Sequence, residues 1–176
     1  MNKTHDRKFA RAFTITPTPV DGAPEQRRFA LATETYVPQD GWVLRAGGAT
    51  KRSAALKAKW NHGHDPSVGF PVGVWHDFEA VGNEVHATIE FADAQYDKAA
   101  TLRKLVDGGF VDEVSIRFEV TAWHRPDAKE RKAFAIPADD PMAGIADSWL
   151  AIEGSFVDVP ADVNAGPRSL AAAVTR

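Results

Sequence analysis

Apolar and polar residues alternate with a period of two along much of this chain. In its middle, Val114, Ile116, Phe118 and Val120 fall on one side while Ser115, Arg117 and Glu119 fall on the other. That is the pattern of a half-buried β-strand. Residues 84–91 repeat it, with Val85, Ala87, Ile89 and Phe91 inward and His86, Thr88 and Glu90 outward, so His86 reads as a surface residue. Further strands are predicted over 28–37, over 71–79 and over 56–60, where Leu56, Ala58 and Trp60 alternate with Lys57 and Lys59. Residues 149–159 break the rule. They are apolar or small on both sides except at Glu153, the pattern of a strand covered on both faces, and Pro160 stops it.

Only one stretch shifts to helical spacing. Asp93 is placed to cap a helix running through Gln95 to about Asp107, with Ala99, Leu102, Leu105 and Val106 on one face and Lys98, Arg103 and Lys104 on the other. Gly108 and Gly109 close it, so the strand carrying Ser115 leaves a sharp helix-to-strand turn. The charged run at 129–132 reads as an exposed turn, and residues 137–147, with two prolines, a glycine and three aspartates, read as loop. Together these elements predict a mainly β (α+β) domain of about seven short strands and one principal helix, a small closed or partly closed β-barrel rather than an open sheet. Residues 1–26 are expected to be a flexible lead-in, 27–165 the folded domain and 166–176 a disordered tail.

Composition narrows the function classes. Of 176 residues, 44% are hydrophobic and 26% charged, as in an ordinary globular protein. The net charge of −3 and the absence of a basic run speak against nucleic acid and against a charged membrane surface. No segment has the roughly 20 apolar residues of a membrane span, and the first 13 residues lack the apolar run of a secretory signal. With no cysteine, disulfides, thiolate metal sites and a Cys nucleophile are excluded, and a cytosolic protein is expected.

Three residues in separate stretches have chemical potential. Ser115 lies near the start of a strand, on its polar face, beside a tight turn. A serine on the wet side of a strand is ordinary, so it draws interest only in company. His62 follows a strand, in a loop with Gly63 and Pro66. His62, His64, Asp65 and His76 are ligand-type residues that leave a metal-dependent hydrolase as one reading, but the spacing of a His-Glu-x-x-His site is missing, and neither metal nor other cofactor is expected. Glu153 interrupts an apolar run. A carboxylate there needs a partner, because an isolated buried charge costs several kcal/mol. Arg117 or Arg28 would serve structurally; an imidazole N–H would serve a hydrolase.

In order and spacing these stretches resemble the prohead (procapsid maturation) serine proteases of tailed bacteriophages, relatives of the herpesvirus assemblin. The resemblance is carried by Asp40-Gly41, Asn61-His62, Pro71-Val72-Gly73, Ile89-Glu90-Phe91, Val114-Ser115-Ile116-Arg117-Phe118 and the run from Glu153 through Ser155, Val157 and Pro160 to Ala161. It covers roughly residues 28–165, and Arg117 stands where the family more often has glycine. It implies a herpesvirus-protease-like fold and a serine endopeptidase in which Ser115 attacks the scissile carbonyl and His62 carries the proton. Glu153 would orient His62; the assemblin relatives use a second histidine late in the chain, which makes His124 the rival third member. The implied substrates are scaffold, the arms of the major capsid protein and the protease itself by autocleavage, inside the procapsid in the host cytoplasm, with a homo-oligomer possible. The alternative is a catalytically inactive capsid-assembly or scaffold module of the same fold, in which Arg117 would pair with Glu153 and His62 would be free.

Overall fold

The computed structural model describes residues 26–65, 67 and 70–168. The expected lead-in therefore lies, but for Gln26, outside the described residues, as does the tail beyond Arg168. Among the described residues nine strands form one sheet: β1 (Gln26–Thr33), β2 (Trp42–Leu44), β3 (Ala49–Lys51), β4 (Leu56–Trp60), β5 (Gly73–Val81), β6 (Glu84–Phe91), β7 (Val114–His124), β8 (Gly144–Phe156) and β9 (Gly166–Arg168). Two α-helices accompany them among the described residues, α1 (Asp97–Asp107) and α2 (Ala128–Ala133). No helix among the described residues is long and apolar enough to cross a membrane.

The long strand β8 organises the sheet. Along one edge it pairs in succession with β2, β3 and β4, all parallel; along the other it pairs antiparallel with β7. The sheet continues from β4 through β5, β6 and β1 to β9. A strand flanked on both edges and covered on both faces explains why 149–156 has so little polar character. The apolar side of β6 is buried as expected at Val85, Ala87, Ile89 and Phe91, but of the residues expected outward only Glu90 is exposed, His86 and Thr88 being buried too. In α1 the buried residues are Ala99, Leu102 and Val106, whereas Leu105 is exposed.

An aromatic cluster anchors β8 to the core. Phe156 lies 5.4 Å from both Phe29 and Trp75 and 5.6 Å from Phe91, between ring centres. Trp75 Nε1 donates to the Gly154 carbonyl at 3.1 Å. A Cβ on residue 154 would meet that indole nitrogen at 2.6 Å, so only glycine lets Trp75 lie this close to β8.

Several expectations are corrected. The sheet is not closed. Its ends approach, since a Cβ on Gly166 would stand 3.4 Å from the Asp112 carbonyl, but among the described residues no ladder joins β7 to β1 or β9. Strand β8 begins at Gly144, inside the stretch read as loop, because β2 and β7 satisfy its backbone from both edges. The charged run forms α2, started by a reciprocal capping box between Asp127 and Glu130. Helix α1 begins at Asp97; Asp93 instead pairs with Arg103 at 2.5 Å. Residues 166–168, assigned to the tail, pair with β1 as β9. His86 is buried: Arg28 Nε is 3.2 Å from its Nδ1 and Glu84 Oε2 is 2.6 Å from its Nε2, so the outward face of β6 is covered by a polar network.

Candidate active site

Register decides which side chains share a face. Across the β7–β8 ladder Ser115 stands opposite Ser155 and Arg117 opposite Glu153; across the β8–β4 ladder Ser155 aligns with Lys59 and Glu153 with Lys57. Directly opposed residues point to the same side of a sheet. One face thus carries Ser115, Arg117, Glu153, Ser155, Lys57 and Lys59. The other face carries Val114, Gly154, Phe156 and Ala58, all buried against the core. Opposed side chains begin about 5 Å apart, so the Ser115 hydroxyl is a near neighbour of Ser155 and lies one diagonal from Glu153.

His62 reaches this face from the end of β4. Directly after Trp60 the chain turns through Asn61, His62 and Gly63 with φ of 44°, 54° and 72°, three successive residues in the left-handed region. For the two that are not glycine this conformation costs about 1–2 kcal/mol each, so it persists only where other contacts enforce it. One such contact is the hydrogen bond from the His62 backbone N–H to Ser155 Oγ, 3.2 Å. The turn folds the imidazole back over β8.

There the ring meets the carboxylate. His62 Nδ1 is 2.6 Å from Glu153 Oε1. The second carboxylate oxygen, Oε2, accepts from the Ser155 hydroxyl at 2.6 Å. A carboxylate only accepts, so Nδ1 carries a proton, and in the neutral ring Nε2 is the nitrogen with the lone pair. Glu153 is 3% exposed, Ser155 0% and Ser115 4%, while the His62 side chain is 18% exposed. The carboxylate is thus shielded, and the ring it holds still borders solvent. Among the described residues the hydrogen bonds of the His62 ring go to Glu153, and none joins it to Ser115 Oγ.

Of the four residues proposed as catalytic, Ser115 and Glu153 share one face of β7 and β8, and His62, in the turn after β4, contacts Glu153. His124 stands apart, nine positions along β7 from Ser115, roughly 30 Å at strand rise. Its Nδ1 is 2.7 Å from Asp147 Oδ2 and its Nε2 is 3.1 Å from both Glu130 oxygens. These two carboxylates, Asp147 first, raise its pKa. His64 is a ring neighbour of His62 at 6.4 Å, and His76 pairs with Glu90 on the surface; among the described residues no three His, Asp or Glu side chains converge as a metal site would require.

Sequence reasoning passed over Ser155. Its signal was a second polar residue in an otherwise apolar run, two positions from Glu153 and hence on the same side of the strand. Compared with protein-family models, with curated proteins and with solved structures, the chain finds no match.

Proposed function

We propose that this chain is a serine endopeptidase of the procapsid-maturation kind, working by Ser-His-carboxylate acyl transfer. The observation that carries the reading is the 2.6 Å contact between His62 Nδ1 and the buried Glu153, on the face that also bears Ser115. It is the division of labour a serine hydrolase needs: the carboxylate fixes the ring through Nδ1, and Nε2 is left to serve as base. In the first half-reaction His62 Nε2 takes the Ser115 hydroxyl proton as Oγ bonds to the scissile carbonyl carbon. The tetrahedral intermediate then collapses, the C–N bond breaks, and the imidazolium returns its proton to the departing amine. Water, deprotonated by the same nitrogen, releases the acyl group and restores the serine. Glu153 stays ionised throughout and stabilises the imidazolium. Backbone N–H groups would serve as oxyanion donors.

The proposed substrates are scaffold, the arms of the major capsid protein and the chain's own ends, cut inside a procapsid in the host cytoplasm, with a herpesvirus-protease-like fold as the wider likeness. The inactive-module alternative paired Glu153 with Arg117 and left His62 free; Glu153 is instead engaged by His62 and Ser155, which favours the enzyme. The test is co-expression with the neighbouring scaffold and capsid proteins, followed by mapping of all termini by mass spectrometry. New termini in wild type that vanish in Ser115→Ala support the protease; identical fragments from both overturn it in favour of the non-enzymatic assembly module.

A further inference from the structure

Ser155 is fully buried and makes two hydrogen bonds that link parts of His62 otherwise held independently. Its oxygen accepts from the His62 backbone N–H at 3.2 Å, and its O–H donates to Glu153 Oε2 at 2.6 Å. Glu153 Oε1 returns to the same residue at the imidazole, 2.6 Å from Nδ1. The four groups form a closed cycle: His62 backbone, Ser155 hydroxyl, Glu153 carboxylate, His62 ring. We propose that Ser155 is a positioning residue whose hydroxyl sets the ring of His62 by fixing its backbone and its carboxylate at once.

Three features support this assignment. The backbone of His62 is left-handed at φ 54°, ψ 21°, so its N–H direction has to be enforced, and Ser155 is what receives that N–H. A carboxylate held only through Oε1 turns about its own side-chain bonds; a second, short, charge-assisted bond to Oε2 fixes its plane and therefore the direction from which Nδ1–H is accepted. Glu153 and Ser155 are two residues apart on one strand, and Trp75 packed against Gly154 between them holds that strand to the core. The hydroxyl is not itself a nucleophile here: it is enclosed, and its proton is committed to Glu153. The kinetic part of the proposal rests on the protease reading; the geometric part does not.

The experiment therefore has two arms. In the first, peptide cleavage is followed for wild type, Ser155→Ala, Ser155→Cys and Ser155→Thr, each checked for folding by circular dichroism. The removal or weakening of the donor should lower kcat by about tenfold to a hundredfold, the effect of an ångström-scale misplacement, with KM within about twofold; Thr, which keeps the hydroxyl, should restore most of kcat. In the second arm, all proteins carry Ser115→Ala, and the ring Nδ1–H proton of His62 is observed by NMR, assigned by its loss in His62→Gln. A downfield, slowly exchanging signal is expected with Ser155 and with Thr, and its loss or broadening with Ala and Cys; Cys stands in should Ala not fold. Unchanged kcat and an unchanged Nδ1–H signal in a folded Ala or Cys variant overturn the proposal. So does a fall in kcat with the signal intact, which would make Ser155 merely structural, or absence of the signal while Ser155 is present. If wild type shows no cleavage that depends on Ser115, the protease reading fails, and the NMR arm alone decides the role of Ser155.

Discussion

Two histidine–carboxylate contacts lie at opposite ends of the same pair of strands, and they differ instructively. At one end of β7 and β8, His62 meets Glu153 at 2.6 Å; at the other, His124 meets Asp147 at 2.7 Å. The contact distances do not separate them. What separates them is the second ring nitrogen. His124 Nε2 is taken by Glu130, so both nitrogens face carboxylates, which stabilise the imidazolium and leave no lone pair for a substrate proton. Among the described residues His62 Nε2 has no carboxylate partner, and Glu153, which holds the ring, lies on the face that carries Ser115. Burial separates them too: Glu153 is enclosed, whereas the His124 and Asp147 side chains are 40% and 45% exposed. A contact of that kind at the surface contributes little. On the protease proposal, what suits His62 rather than His124 to be the base is a ring paired on one side only, not the strength of its pairing.

The comparison can be broken most severely at Ser115. Ser115→Ala, or His62→Gln, should reduce peptide cleavage to background, a loss of at least about 10³-fold, while His124→Gln should leave the cleavage rate within about twofold. Next in size is Glu153→Gln. It keeps the shape but offers Nδ1 an amide, and kcat should fall by roughly 10²–10⁴-fold, as expected when the ring loses its orienting carboxylate and the imidazolium its countercharge. Asp147→Asn at the other end should change cleavage by no more than about twofold.

Gly154→Ala should act through packing. Its methyl would intrude on Trp75 Nε1 and the strand that carries Glu153 and Ser155 would have to move, costing about 1–3 kcal/mol in urea unfolding. The smallest effect is the pH dependence at His124. Asp147 and Glu130 raise its folded pKa above the ordinary 6.5, so its stabilisation is fully present below that value and is lost as pH rises through the raised one. His124→Gln should therefore destabilise the chain by at most about 1 kcal/mol at pH 5.5, given the exposure of the pair, with the difference shrinking as pH rises past the raised value. A larger loss, or one that grows with pH, would contradict the assignment.

Much of the site was legible because strand alternation fixes sides. Ser115 on the polar side of β7, His62 at the end of β4 and a carboxylate that needs a partner in a doubly covered strand all followed from the sequence pattern. That Glu153 would face an imidazole rather than Arg117 did not, since it depends on a left-handed turn at Asn61 and His62 that no local signal announces in residues other than glycine. Tertiary pairing overrode local chemistry elsewhere. Gly144, Asp147 and Ser148 look like loop residues, yet they belong to β8 because β2 and β7 lie on either side. The spacing of Asp127 and Glu130 was a helix start read as a turn, its capping box outweighed by the charge of the run. Closure of the sheet was not legible either, because alternation reports which side of a strand is buried and not whether the first and last strands meet.

The most direct measurement is the rate and position of fluorophosphonate labelling, followed by intact-mass and peptide mass spectrometry. The account predicts one adduct, on Ser115, formed at a rate that collapses in His62→Gln and drops in Glu153→Gln but is unchanged in His124→Gln. Labelling elsewhere, no labelling of the folded wild type, or labelling of Ser115 that is indifferent to His62 would contradict it.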